Sequence, residues 1–446
     1  MKPAVYRAAW VVPVAADPVR DGAVRVNGEG RIEWVGASAR ARLDGADIVD
    51  LGETALLPGL VSAHSHPELT LLRGRLETEA FPQWIERLIE SKYRSLDSAA
   101  LLTSTWLGIA ESMANGVTCL AAPDDAGFLQ EVLQQAGLRG RVYREVFGPD
   151  PAEAESALKE LRLRIDSMRQ DETDRVEVGI APHAPYTASP RLFRALAEYA
   201  DAESLPVTIH VAESEAEERF VHDGSGPLAA RLRARDIEVP ATGRSPVAWL
   251  AETGILATQP LLVHCVRVDE SDVLRVADSG STIAHCPISN AKFGHGAAPL
   301  LFFLELGIPV GLGSDSVASN NRVDILEEAR FASLLQRATY RAAGVLSAEE
   351  TLRLATLEGA RALGLEERIG SLEPGKEADL IAVRLDRPWT TPTGDPVAAL
   401  VHSARGSDVT LTAVGGTVLY RDGRFETLDW DSLAEEGRRA ASVLDS

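Results

Sequence analysis

The sequence predicts an α/β chain built on a (β/α)8 TIM barrel, with a small composite β-sandwich supplied by both ends of the chain. Three observations carry this. Between residue 57 and about residue 335 a short apolar strand, a polar or histidine-bearing segment and a helical stretch recur, and eight strands can be counted. The strands are apolar runs rather than alternations, as parallel strands buried on both faces are, and the helical stretches supply the crossovers that parallel strands require. The flanks carry short β-like pieces separated by Gly, Asn and Asp turns.

Residues 1–56 begin with MKPAVYRAAWVVPV, which reads as a strand rather than a signal peptide, because Pro13 interrupts the apolar stretch and charged residues follow. AVRVNGEGRIEWVG then suggests two strands around a turn at Asn27–Gly30. The barrel, expected over 57–365, takes its strands from LLPGLVSAH (56–64), GVTCLAA (116–122), RGRVYREVF (139–147), VEVGIAPH (176–183), LPVTIHVAE (205–213), PLLVHC (260–265), STIAHC (281–286) and IPVGLGSD (308–315). Helical periodicity marks 81–92, 100–114, 189–203, 269–279 and 323–337, and 347–364 is also helical. Residues 366–446 return to short strands in GSLEPGKEADLIAVRL and DVTLTAVGGTVLYRDGRF, followed by a C-terminal helix. Neither flank can build a core alone, so the two are expected to pair.

Bulk properties exclude several partners. The 446 residues are 45% hydrophobic and 25% charged, with a formal net charge of −21 that repels phosphate backbones and anionic headgroups. No apolar run approaches the roughly 18 residues of a membrane span. Expected, therefore, are a small-molecule substrate, no nucleic acid, no membrane and room for a homodimer. Cys119, Cys265 and Cys286 form no CxxC pair, which suggests a reducing compartment and a cytoplasmic location.

The nine histidines are not scattered. His64 and His66 end the first barrel strand, His183 the fourth, His210 the fifth, His264 the sixth and His285 the seventh, while Asp315 ends the eighth. These are carboxyl ends, the face on which barrel active sites sit. An isolated H-x-H could be two ordinary histidines, but the other strand-end groups give it a shared destination. Residues i and i+2 of a strand point the same way, so His64, His66, His210 and Asp315 offer three neutral nitrogens and a carboxylate. That set suits one divalent ion, zinc or alternatively iron, with a position open for water.

Glu213, three residues after His210, is read as a proton shuttle, and Glu215, Glu217 and Glu218 as the acidic face of the next helix. His264 is read as catalytic; His285 is left between core and substrate contact. His222, His295 and His402 read as surface or loop residues, with Gly294 and Gly296 permitting mobility around His295. Phe81, Trp84, Ile85, Leu88 and Ile89 form a core-facing helical stripe from which Trp84 could line a pocket. The segment from Glu68 to Gly74 is the expected substrate-selecting loop, with Glu68 a candidate contact. Cys265 and Cys286 point to the opposite side of their strands from the adjoining histidines.

PGLVSAHSHPEL, HAPYT, IHVAESEAEE, LVHCVRVDE, AHCPISNAKFGHG, GLGSDSVASNN and GSLEPGKEADLIAV together resemble the amidohydrolase superfamily of metal-dependent barrel hydrolases, over nearly the full chain. Strand 4 ends APHAPYT, without the lysine that bridges two metals in binuclear members, so the resemblance implies the mononuclear deaminase branch. It implies His64, His66, His210 and Asp315 as ligands, and Glu213, His264 and Asp315 as proton handlers. His183 and Arg144 would contact substrate, as would Ser289 and Asn290. HSHPELTLLRG, FPQWIERLIE and HVAESEAEERFVHDGSGPL are most similar to the aminodeoxyfutalosine deaminase group, which implies conversion of 6-amino-6-deoxyfutalosine to futalosine and ammonia in menaquinone biosynthesis. Alternatives are deamination of S-adenosylhomocysteine, adenosine or guanine, hydrolysis of a triazine or cyclic amide, and a noncatalytic metal-binding barrel.

Overall fold

The computed structural model describes residues 2–77 and 80–445; Met1 and Ser446, outer bounds of the expected terminal segments, lie outside the described residues. The chain starts with β1 Ala4–Val11, β2 Val19–Val26, β3 Ile32–Ala37, β4 Asp47–Asp50 and β5 Thr54–Pro58. β2 and β3 pair antiparallel across the expected turn, where the Asn27 side-chain oxygen accepts the backbone N–H of Glu29 and of Arg31.

The strand expected over 56–64 is two strands. β5 ends at Pro58, and β6 Leu60–Ser62 begins after Gly59 in a different sheet. Pro58 has no N–H to continue a ladder. A Cβ on Gly59 would lie 1.9 Å from the Thr118 hydroxyl oxygen, so the chain can cross this close only as glycine.

From β6 the chain runs through α1 Phe81–Glu90 and α2 Ser98–Ala114 to β7 Val117–Asp124, α3 Leu129–Ala136, β8 Arg139–Val146, α4 Ala154–Gln170 and β9 Val176–Pro182. It continues through α5 Pro190–Glu203, β10 Thr208–Val211, α6 Glu215–Asp223, α7 Gly226–Arg233, α8 Pro246–Thr253, β11 Leu261–His264, α9 Glu270–Ser279 and β12 Thr282–His285. α10 Pro287–Lys292, α11 Leu300–Glu305, β13 Val310–Leu312, α12 Val317–Asn320 and α13 Ile325–Tyr340 complete the succession. Among the described residues the eight strands β6–β13 form two four-stranded parallel sheets, β6-β7-β8-β9 and β10-β11-β12-β13. Backbone hydrogen bonds link the sheets at both seams, from Ile180 N–H to the Pro206 carbonyl (2.9 Å) and from Ala63 N–H to the Leu312 carbonyl (2.7 Å).

Side chains alternate along these strands. Val61, Cys119, Tyr143, Val263 and Ala284 pack together in one buried cluster, whereas Leu60, Leu120, Val142, Leu262 and Ile283 belong to the larger core shared with the helices. This parity decides which strand-end residues reach the site.

β14 Leu380–Arg384, β15 Val409–Val414, β16 Thr417–Arg421 and β17 Arg424–Phe425 bring the C-terminal part back to the start of the chain. β14 pairs antiparallel with β5, so both ends share one sheet, ordered β17-β16-β15-β14-β5-β1-β2-β3 with β4 beside β1. The helical stretch 347–364 is two helices, Ala348–Leu354 and Leu357–Ala362. Among the described residues no helix is long and apolar enough to cross a membrane.

Candidate metal centre and active site

The seam between β6 and the segment after β13 builds the first half of the site. Asp315 N–H donates to the His64 carbonyl (3.2 Å) and His66 N–H to the Asp315 carbonyl (3.3 Å), so both histidines are tied to the aspartate through the backbone. A Cβ on Gly313 would sit 2.8 Å from the His64 carbonyl oxygen, which is why GLGSD carries glycine there. β10 brings in His210, whose Nε2 lies 3.2 Å from His64 Nε2 and 3.4 Å from His66 Nε2. Asp315 Oδ1 is 3.7 and 3.9 Å from the same nitrogens of His64 and His66.

This donor set fits a divalent cation. His210 Nδ1 lies 3.1 Å from the His183 carbonyl, which can only accept, so Nδ1 carries the proton and neutral His210 presents a bare lone pair at Nε2. His66 Nδ1 is oriented by Glu68 Oε1 at 3.5 Å. Burial pushes His64 down to about 4 and holds His210 well below its ordinary range, so both are neutral, as ligands must be. Burial lowers His66 too, but the hydrogen bond and charge of Glu68, with the charge of Asp315, raise it to about 9; a cation at Nε2 replaces that proton. Asp315 stays well below the usual carboxylate range, because the neighbouring histidines outweigh its burial. Its Oδ2 accepts from Ser289 (2.6 Å) and Ser319 (2.8 Å).

Glu213 lies beside this centre. Its Oε1 is 3.8 Å from His264 Nε2 and 3.5 Å from His295 Nε2. By strand parity His264 would follow Leu262 toward the helices, yet it lines the cavity, because its φ of +77° turns the chain at that residue. Ala212 (φ +54°) and Asp315 (φ +54°) are held in the same left-handed region. At these three strand ends the left-handed backbone re-aims the chain beside the site. His264 Nδ1 lies 3.0 Å from Asn290 Oδ1.

A cavity of about 350 Å³ opens from these residues. His183 lines it, with Nδ1 2.9 Å from the Thr187 hydroxyl. Trp84 lines it too, and so do Phe81, Ile85, Leu88 and Ile89: the apolar stripe of α1 faces the cavity rather than only the core. Glu68 borders it, but its Oε1 already accepts from the buried Lys92 ammonium at 3.0 Å.

Four expectations are corrected. Arg144 is not among the lining residues; it donates to the carbonyls of Asp124 (3.0 Å) and Asp125 (2.7 Å), because Tyr143 and Glu145 take the inward positions of β8. Ser289 and Asn290 are buried behind Asp315 and His264, which they hydrogen-bond, rather than exposed to the cavity. Glu217 is fully buried, not part of an acidic surface face. His295 does lie in a loop, but its side chain is turned inward with 7% exposure, ringed by Phe81, Phe293 and Glu213 rather than at the surface. His285, left open by the sequence, shares the outward parity of Ile283 and does not line the cavity; among the described residues neither ring nitrogen has a hydrogen-bond partner.

Sequence reasoning missed Glu145. Its carboxylate lines the cavity 3.8 Å from His183 Nε2, and burial, then repulsion from Asp125, pushes it up to about 8. Period-two counting from Tyr143 would have found it. Lys92, bound to Glu68 and to Asp125 (2.7 Å), had no local signal at all.

The family model described as Amidohydrolase family matches residues 55–419. A 5-methylthioadenosine/S-adenosylhomocysteine deaminase from Symbiobacterium thermophilum is 33% identical over all of this chain and 99% of its own length. Its counterpart from Pyrococcus furiosus is 32% identical over 92% of this chain and 93% of its own. Among solved structures, a zinc-bound adenosine deaminase from Xanthomonas campestris superposes with a TM-score of 0.88 at 29% identity, covering 99% of this chain and 98% of that one. A zinc-complexed atrazine chlorohydrolase from Arthrobacter aurescens has a TM-score of 0.85 at 22% identity over 98% of this chain and 99% of that one, a likeness of fold alone.

Proposed function

Because the chain belongs to the amidohydrolase family and is a hydrolytic deaminase, we propose that it removes the 6-amino group of a purine nucleoside carrying a substituent at its 5′ carbon. The observation that carries this reading is the cluster of His64, His66 and His210 with Asp315 at the wall of a cavity that Glu213 and His264 also line. We take β6–β13 as one (β/α)8 barrel, and residues 1–56 with 366–446 as its companion β domain, whose strands form one nine-stranded sheet rather than the two layers of the expected sandwich.

His64, His66, His210 and Asp315 would hold one divalent ion, zinc by preference, which when bound supplies Lewis acidity and a nucleophilic water at neutral pH. Asp315 takes the proton of the attacking water at Oδ1, since Oδ2 is occupied by Ser289 and Ser319. With its Nδ1 proton directed at Asn290, His264 keeps Nε2 free to orient that water and accept from it. Glu213, protonated, donates to the ring nitrogen beside C6, making that carbon electrophilic as the water oxygen adds. Return of a proton to the exocyclic nitrogen breaks the C–N bond and releases ammonia, leaving the 6-oxopurine.

Relatives named for 5-methylthioadenosine and S-adenosylhomocysteine favour those nucleosides as substrates. Aminodeoxyfutalosine is the second reading, favoured by FPQWIERLIE, whose Phe81 and Trp84 form an aromatic wall of the cavity. A deamination screen of the metal-loaded protein by ultraviolet change and ammonia release tests both. Turnover of guanine or a triazine, with none of 6-aminopurine nucleosides, overturns the reading.

A further inference from the structure

The cavity does not end at the reacting groups. Leu228, Arg231, Leu232 and Arg235 recur at i, i+3, i+4 and i+7 from α7 into the turn after it, and all four line the cavity. Leu88 and Ile89 of α1 line the same cavity, as does Tyr93. Arg231 is half-buried and Arg235 exposed, so this pair marks the outer end, away from buried His210 and Asp315.

Among the described residues neither guanidinium makes a hydrogen bond or an ion pair. In a chain with 66 acidic against 45 basic residues, two unpaired arginines, one on α7 and one in the turn that follows it, lining the same cavity are charge without a partner. Their neighbour Arg233, on the same helix, differs: its guanidinium donates to the carbonyls of Gly224 and Val239. The geometry points to an outer subsite at Arg231 and Arg235 that takes a carboxylate at the far end of the substrate's 5′ substituent, with the leucines and α1 covering the apolar linker. This rests on the deaminase reading. C6 and the glycosidic nitrogen lie at opposite ends of a purine, so a nucleoside with C6 at the metal centre trails its ribose and 5′ group toward the mouth. Guanidinium recognises carboxylate through paired, charge-assisted hydrogen bonds, so the preferred substrates are 5′-extended nucleosides ending in carboxylate, over adenosine or 5′-methylthioadenosine.

The test compares kcat/KM for adenosine, 5′-methylthioadenosine, S-adenosylhomocysteine, its carboxamide and aminodeoxyfutalosine, in wild type, R231Q/R235Q and R235E. Carboxylate substrates should exceed their neutral counterparts by roughly ten- to hundredfold, the worth of a charge-assisted contact, mainly in KM. The double substitution should collapse that ratio, R235E should reverse it, and about 0.5 M salt should shrink it in wild type. Equal values for acid and carboxamide in wild type, or a ratio unmoved by either variant, overturns the subsite. Calorimetric binding of S-adenosylhomocysteine and its carboxamide to the E213Q protein gives the same comparison without turnover. Failure of wild type to deaminate any aminopurine therefore sinks the deaminase reading, while the binding ratio still decides the subsite.

Discussion

Glu217 holds the backbone on which Glu213 is mounted: its Oε2 accepts the Glu213 N–H at 2.8 Å and its Oε1 the Ala212 N–H at 2.9 Å. Both donors belong to the chain reversal at the end of β10, where Ala212 has a φ of +54°. In E217Q one of these N–H groups faces an amide N–H in place of an oxygen. We expect a loss of about 1–3 kcal/mol in stability, with kcat falling up to roughly a hundredfold as Glu213 is displaced. Urea unfolding alongside steady-state kinetics checks both, and a variant with unaltered kcat removes the positioning role.

E213Q separates proton donation from metal binding. The amide keeps the shape but cannot donate as an acid, so turnover should fall by about 10²–10⁴ while one metal ion per chain is retained. Metal analysis of the purified variant, together with its rate on the best substrate, is the measurement. A near-normal rate would sink the assignment.

Asn290 fixes the tautomer of His264 through the 3.0 Å contact between its Oδ1 and Nδ1. N290A leaves the imidazole free to carry its proton on Nε2, the nitrogen that must accept. Activity should drop by roughly 10- to 100-fold, with a shifted acid limb in the kcat/KM profile and little change in KM. A uniform loss with an unshifted pH profile would reduce Asn290 to packing.

His285 should make the fold acid-sensitive. Burial pushes it down to about 3 in the folded chain, below an ordinary value of 6.5, so the unfolded state takes up the proton first. Its contribution is complete above pH 6.5 and is lost as pH falls toward 3. Relative to H285L, wild type should lose up to about 1.4 kcal/mol per pH unit across that window. Denaturation midpoints at pH 7, 6 and 5 measure the difference, and parallel curves for the two proteins would show that His285 does not titrate on unfolding.

Removing the metal should leave a folded but inactive chain, because the ligands hang from strand ends whose hydrogen bonds do not involve the ion. A chelator should abolish turnover and zinc should restore it, with the far-ultraviolet dichroism unchanged throughout. Unfolding on chelation would instead make the ion structural.

The amino-acid order alone determined the eight strand-and-helix units and the set His64, His66, His210, Asp315, Glu213 and His264, because strand ends are written locally as apolar runs closing on polar groups. The division of 56–64 at Gly59 was legible only in part: a proline beside a glycine signals a break, but not the change of sheet that Thr118 enforces. Which side each residue faces was decided by tertiary structure. Glu145 points inward and Arg144 outward by register, His264 reaches the cavity through a left-handed φ, and Glu217 is drawn inward by two unpaired N–H groups. Lys92 pairs with Glu68 and His295 is brought to 3.5 Å from Glu213, neighbours that no local pattern marks. Periodicity is local, so the sequence carried the donors; strand register, left-handed backbone at strand ends and long-range pairing exist only in three dimensions, so the aim of those donors came from the fold.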